Sequence, residues 1–316
     1  MDREASAMGA KPLSVIALDV GGTGIKGLVQ TADGTELASC ARPTPVTEGV
    51  EAVLAEIIDS VRTLRAEAAE QSEAVAIGVI CPGHVDAESG MALYSANIGW
   101  RDIPLADLLS RQIGVPAYIG HDVRAAGLAE ATHGAARSVA EALYVQIGTG
   151  IAGAVISGGK VLAGAAYLAG EIGHIPVVPG GEECACGQRG CTETYASASA
   201  LARRYRSAAA TAEPISAPEV LARIDEDPIA RTVFDCAVTA LGRALVTYTL
   251  LMDPELIVIG GGLSLAGQTL LSPLAAELAA GLAWRPAPRL VAGDFGADAG
   301  RIGAALLAWR GVGVPA

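Results

Sequence analysis

Residues 15–37 read VIALDVGGTGIKGLVQTADGTEL, and residues 142–164 read ALYVQIGTGIAGAVISGGKVLAG. Laid over one another, about 125 residues apart, both run as strand, Gly/Thr turn, second strand, glycine-containing turn and third strand. Apolar and β-branched residues fill the strands, and Asp33-Gly34 marks a tight turn in the first copy. A duplicated unit of this kind predicts two related lobes, each built on its own sheet. The 316 residues, 51% of them hydrophobic, are enough for two cores.

Helical signals follow. Val50, Val53, Leu54, Ile57, Ile58, Val61 and Leu64 recur at helical spacing and give one apolar face. VAIGVI (75–80) and VPAYIG (115–120) read as short buried strands, and Asp122 opens a helix reaching Thr132. Ser216 with Glu219 spells a capping box, and Asp227-Pro228 starts a long helix ending near Met252. IPVV (175–178) and ELIVIGGGLS (255–264) read as strands, AGRIGAALLAWRG as a C-terminal helix, and the first eleven residues as a loose tail. Strands alternating with helices predict α/β lobes.

Lys and Arg number 22 against 34 Asp and Glu, a formal net charge of −12. That balance argues against non-specific binding to nucleic acid or an anionic membrane surface. Asp2, Glu4 and Asp19 interrupt any signal-peptide pattern, and no stretch reaches the ~18 uncharged apolar residues of a membrane span. The expectation is a cytoplasmic protein.

Three strand ends carry glycine-rich turns: DVGGTGIK (19–26), IGTGIAG (147–153) and IGGGLS (259–264). With few side chains in the way, backbone N–H groups of such turns converge on an anion, and a Thr hydroxyl adds a donor. Gly21, Gly22, Thr23, Gly148, Thr149, Gly150, Gly260, Gly261 and Gly262 are therefore candidate phosphate contacts. Neither the dinucleotide nor the P-loop fingerprint is present. Asp19 is placed to hold a Mg²⁺ hydration shell, and Lys26 either pairs with phosphate oxygens or is a surface lysine.

Residues 182–193, EECACGQRGCTE, hold Cys184, Cys186 and Cys191 in a C-x-C-x₄-C pattern. In a cytosolic chain such a cluster points to a metal more than to disulfides. Tetrahedral Zn²⁺ needs a fourth ligand and accepts imidazole beside thiolates, and His174, ten residues upstream, is the nearest candidate. His84, His121 and His133 are far off in sequence. With four ligands the metal would be structural.

DVGGTGIK, IGTGIAGA, YLAGEIGHIPV and CACGQRGCTE together closely resemble the ROK family of bacterial sugar kinases and repressors, from about residue 14 to the C-terminus. The glycine turns alone are shared more widely with actin/hexokinase-like ATPases. The resemblance implies that two-lobed α/β fold, with duplicated ribonuclease H-like lobes and ATP and sugar bound in the cleft between them. The lobes would be residues 12–121 with 300–316, the C-terminal helix returning to the first, and residues 122–299 with the zinc loop. It carries zinc onto His174, Cys184, Cys186 and Cys191, and implies a homodimer or a dimer of dimers. In related kinases the Glu and His of GEIGH and the Glu of CxE contact sugar hydroxyls, roles that fall here on Glu171, His174 and Glu193. Glu193 also begins a helix, where a glutamate serves as a cap or a solvated residue.

Asp122, at a strand end and a helix start, has helix capping as its commonest job. In ROK kinases an Asp at this strand end is the general base that takes the proton from the attacking sugar hydroxyl. The upstream CPGHVDAESGMALYSANIGW matches the family's Pro-Gly and Asn-x-x-Trp loop, making Asn97 a sugar ligand and Gly83 a close backbone approach; Trp100 reads as a core anchor. The chain departs from the family at two positions, His121 and Arg124 standing where asparagines are usual. His121 either takes over the asparagine's sugar contact, making sugar affinity vary between pH 6 and 8, or packs against the next helix.

The expected activity is ATP-dependent phosphorylation of the 6-hydroxyl of glucose or a related hexose. The nearest rival is an N-acetylhexosamine kinase, and polyphosphate in place of ATP stays open. A sugar-responsive repressor is disfavoured, because only eighteen residues precede Asp19 where a winged helix would need about 60–80.

Overall fold

The computed structural model describes residues 11–314, so most of the expected N-terminal tail lies outside the described residues. The described chain divides into two compact units. One runs to Ala125 and resumes at Gly300; the other is Ala126–Ala299.

The first unit opens with β1 (Leu13–Val20), β2 (Gly24–Thr31) and β3 (Glu36–Pro43), then α1 (Val50–Ala68) and β4 (Glu73–Cys81). A small sheet follows, of β5 (His84–Asp86), β6 (Met91–Ser95) and β7 (Trp100–Ile103), then α2 (Leu105–Ile113) and β8 (Ala117–His121). The main sheet has the order β3-β2-β1-β4-β8, antiparallel between β3, β2 and β1 and parallel from β1 to β8. Helix α3 (Asp122–Thr132) crosses into the second unit.

The second unit holds β9 (Ala142–Ile147), β10 (Ile151–Ser157) and β11 (Lys160–Val161), then α4 (Glu193–Ala196), α5 (Ala198–Ala208), α6 (Ala217–Leu221) and α7 (Pro228–Met252). After these come β12 (Leu256–Gly260), α8 (Gln268–Ala280) and β13 (Arg289–Ala292), and α9 (Ala299–Gly311) returns to the first unit. The sheet order β11-β10-β9-β12-β13 repeats that of the first unit strand for strand, in direction as well as position. The repeat in the sequence is therefore a repeat of topology.

Period-two alternation in β1 explains how the first sheet is covered. Ile16, Leu18 and Val20 pack with Val53, Ile57, Val61 and Leu64 of α1. Val15 and Ala17 face the other way, onto Ala304, Ala305, Ala308 and Trp309 of α9. A strand buried on both faces reads as a continuous apolar run, as β1 does. In the second unit Leu143, Val145, Ile257 and Ile259 pack with the apolar faces of α5, α7 and α8.

The helix punctuation is realised. Asp227 caps α7 by accepting from the N–H groups of Ile229 and Ala230, and Ser216 with Glu219 forms the capping box of α6. Residues 175–178 are a correction, because they form no strand. The N–H groups of Val177 and Val178 both donate to the Gly190 carbonyl, and only Pro176 bridges Cys191. The segment is tied to the cysteine loop, whose turns at Gly187 and Gly190 prevent a ladder from extending.

Candidate active site

In the first unit the same alternation that buries Ala17 beneath α9 carries Asp19 to that face, where its carboxylate lies against Gly300 in the first turn of α9. Lys26 is its register partner on β2, exposed on the same face. Desolvation, then the negative charge of Asp122, pushes the Asp19 carboxyl up to about 6, against the pull of Lys26. The Gly21–Thr23 turn joins β1 to β2. The Gly21 N–H donates to the Gly24 carbonyl at 2.9 Å, and the Thr44 hydroxyl donates to the Gly21 carbonyl at 2.7 Å. A Cβ at Gly22 would stand 3.1 Å from the carbonyl oxygen of Asn97, so exposed Asn97 sits directly on this turn. Gly83 follows β4 with a left-handed backbone, and Trp100 is buried in the core.

Asp122 begins α3, and its Oδ1 accepts from the Val123 N–H at 2.7 Å. His121 is buried, with Nδ1 3.3 Å from Asp122 Oδ1 and accepting from the Arg124 N–H at 3.4 Å. Burial foremost pushes His121 down, Asp122 opposes, and Arg124 adds to the lowering. The net effect lowers His121 from its ordinary value. Arg124 is buried too, and donates to the Val85 carbonyl at 3.4 Å.

In the second unit Glu171 precedes a short 3₁₀ turn, Ile172–His174, that lies across the start of β10. The two glycines of GEIGH make that approach possible. A Cβ at Gly170 would fall 2.0 Å from the Gly153 carbonyl, and one at Gly173 would fall 2.1 Å from that of Ile151. The His174 ring is shared between two neighbours: Nδ1 is 3.7 Å from Cys184 Sγ, and Nε2 is 3.8 Å from Glu171 Oε2.

Cys186 Sγ and Cys191 Sγ are 3.7 Å apart, and the ligand atoms of His174, Cys184, Cys186 and Cys191 all lie within 4.8 Å of one another. A tetrahedron with metal–sulfur bonds of ~2.3 Å has edges of about 3.8 Å, so the donor set fits a metal of that kind. All six cysteines are free thiols. A backbone hydrogen bond at Gln188 pulls the exposed Cys186 thiol down, whereas burial and the neighbouring sulfurs push Cys191 up to about 12.

The remaining turns also lie in this unit. Gly148–Gly150 joins β9 to β10, with the Gly148 N–H donating to the Gly150 carbonyl at 2.9 Å. Glu193, the first residue of α4, accepts from the Ile151 N–H at 2.7 Å through Oε2. Gly260 ends β12, and Gly262 opens a 3₁₀ turn beside an apolar cavity of about 560 Å³ lined by Ala198, Pro218, Leu221, Leu263, Ala266 and others.

Sequence reasoning missed Glu130. It is fully buried and accepts from the N–H groups of Ala135, Asp294 and Phe295. It therefore pins the chain around β13 to α3, a structural task with no local signature.

The ROK family model matches residues 15–310. A glucokinase of Halalkalibacterium halodurans is 34% identical over 92% of this chain and 94% of its own length. Among solved structures, a ROK hexokinase from Thermus thermophilus superposes with a TM-score of 0.83 at 34% identity, covering 95% of this chain and 99% of that one. A ROK family glucokinase from Streptomyces griseus, in complex with glucose and AMPPNP, superposes with a TM-score of 0.81 at 32% identity, covering 94% and 99%. Among the described residues no helix is long and apolar enough to cross a membrane.

Proposed function

This chain belongs to the ROK family, and on that premise we propose that it transfers the γ-phosphoryl group of ATP to the 6-hydroxyl of glucose or a closely related hexose. The observation that carries this reading is the likeness to glucokinases over nearly the whole of both chains. Asp122 is the general base. A sugar hydroxyl is a poor nucleophile until its proton has somewhere to go, and a carboxylate at the end of β8 receives it as the oxygen attacks phosphorus. Asn97, Glu171, His174 and Glu193 bind sugar hydroxyls, the roles that the resemblance to related kinases gives them. The backbone amides of Gly22 and Thr23 and of Thr149 and Gly150 hold the phosphates, and the flat adenine base enters the apolar cavity beside Gly262. Asp19, with Lys26 opposite, would hold Mg²⁺, which supplies charge neutralisation at the phosphates.

His174 Nδ1 and the three cysteine sulfurs would hold one structural Zn²⁺. With Nδ1 so engaged, Nε2 carries the proton, 3.8 Å from Glu171 Oε2. We expect one zinc per chain by elemental analysis of protein purified without chelator. Cys186→Ser should lose the metal and lower the thermal midpoint, because three ligands close the loop less firmly than four. Metal-free wild type of undiminished stability would remove zinc from the account. The chain is expected to work in the cytoplasm as a homodimer.

The experiment that tests the reaction is a coupled ADP-release assay across glucose, mannose, fructose, N-acetylglucosamine and N-acetylmannosamine, with ATP or polyphosphate as donor. Highest kcat/KM with glucose or mannose supports the hexokinase reading. A preference for either acetylated sugar would replace it with an N-acetylhexosamine kinase.

A further inference from the structure

The segment that follows the cysteine loop holds the second glycine turn at three points. Glu193 Oε2 accepts from the Ile151 N–H at 2.7 Å, the Ala198 N–H donates to the Gly148 carbonyl at 2.8 Å, and the Ser199 hydroxyl donates to the Thr149 carbonyl. The carboxylate lies directly over the turn, since a Cβ at Gly150 would stand 2.5 Å from the same Oε2. Cys191, in the thiol cluster, is two residues before Glu193. A turn whose amides must converge on an anion works only if its peptide planes are held in place, and short glycine-rich segments do not hold themselves.

We propose that Glu193 and Ser199 are positioning residues for the phosphate donor: by fixing the Gly148–Ile151 turn they set nucleotide affinity, independently of any contact Glu193 makes with the sugar. This rests on the reading that the turn faces the ATP phosphates, and it adds a second task to Glu193. The carboxylate's bond to Ile151 leaves its other oxygen for a hydroxyl, so one side chain addresses donor and acceptor together. Anything that loosens the cysteine loop then weakens nucleotide binding as well as sugar binding.

The test is the affinity for AMPPNP with Mg²⁺, measured calorimetrically without sugar, so that a sugar contact cannot contribute. Glu193→Ala should weaken binding about tenfold, the scale of a lost charge-assisted hydrogen bond. Glu193→Gln, which keeps an oxygen for the Ile151 N–H, should stay within about threefold of wild type. Ser199→Ala should weaken AMPPNP by about threefold and leave the KM for glucose unchanged. Thermal denaturation checks that each variant is folded. AMPPNP affinity unaltered in Glu193→Ala, or lowered equally in the Ala and Gln variants, overturns the proposal. Wild-type protein that binds no AMPPNP would instead overturn the reading of the turn as a donor site.

Discussion

Asp122→Asn should bind glucose as wild type does and turn over about 10²–10⁴-fold more slowly, the usual size of a general-base contribution. The substitution isolates chemistry from architecture. Asp122 uses one oxygen to accept from the Val123 N–H at the start of α3, and an asparagine carbonyl accepts the same bond. What the amide cannot do is take a proton at neutral pH. Steady-state kinetics beside calorimetric glucose binding separates the two effects. Near-normal turnover would return Asp122 to the role of a helix-starting residue.

Asp19→Asn should stabilise the metal-free protein while abolishing most of its activity. Asp19 rises from an ordinary 3.8 to about 6 in the fold, so the folded state binds its proton more tightly than the unfolded chain. Ionisation therefore costs stability. The cost is fully present above about pH 6 and is relieved as pH falls towards 3.8. Its size is on the order of 3 kcal/mol, and an uncharged amide escapes it. In EDTA at pH 8 the variant should melt at a higher temperature than wild type, with the gain shrinking through pH 6 and vanishing near pH 4. With Mg²⁺ and ATP, kcat/KM should fall by two orders of magnitude or more, because the carboxylate that would hold the cation is gone. A variant less stable than wild type at pH 8 would show that Asp19 serves the fold rather than the site.

Much of this was legible in the sequence because it is local. The two strand–turn–strand copies, the caps of α6 and α7, and the C-x-C-x₄-C spacing each declare themselves within a short window. The matching strand orders of the two sheets then follow from the repeat. The small β5–β7 sheet escaped because its strands are only three to five residues long and follow a Pro-Gly turn. Residues 175–178 carry the composition of a strand, yet their hydrogen bonds go to the cysteine loop. Composition cannot tell a ladder from a tether.

At the site, the residue types were readable and their partners were not. Glu193 could be read as a sugar ligand or a helix start, but its bond to Ile151 joins residues 42 apart. Glu130 receives N–H groups from Asp294 and Phe295, 164 and 165 residues away. His121 illustrates the same limit: its titration depends on burial, which lowers it, and on Asp122 and Arg124 beside it.

The central claim is that ATP's terminal phosphoryl group reaches the primary hydroxyl of a hexose. The most direct measurement is phosphorus–proton correlation NMR of the product formed from glucose, ATP and Mg²⁺. The account predicts one ADP per sugar phosphate and a phosphorus resonance coupled to the two protons on C6. A phosphate coupled to the anomeric proton, or ADP formed with no sugar phosphate, would contradict it.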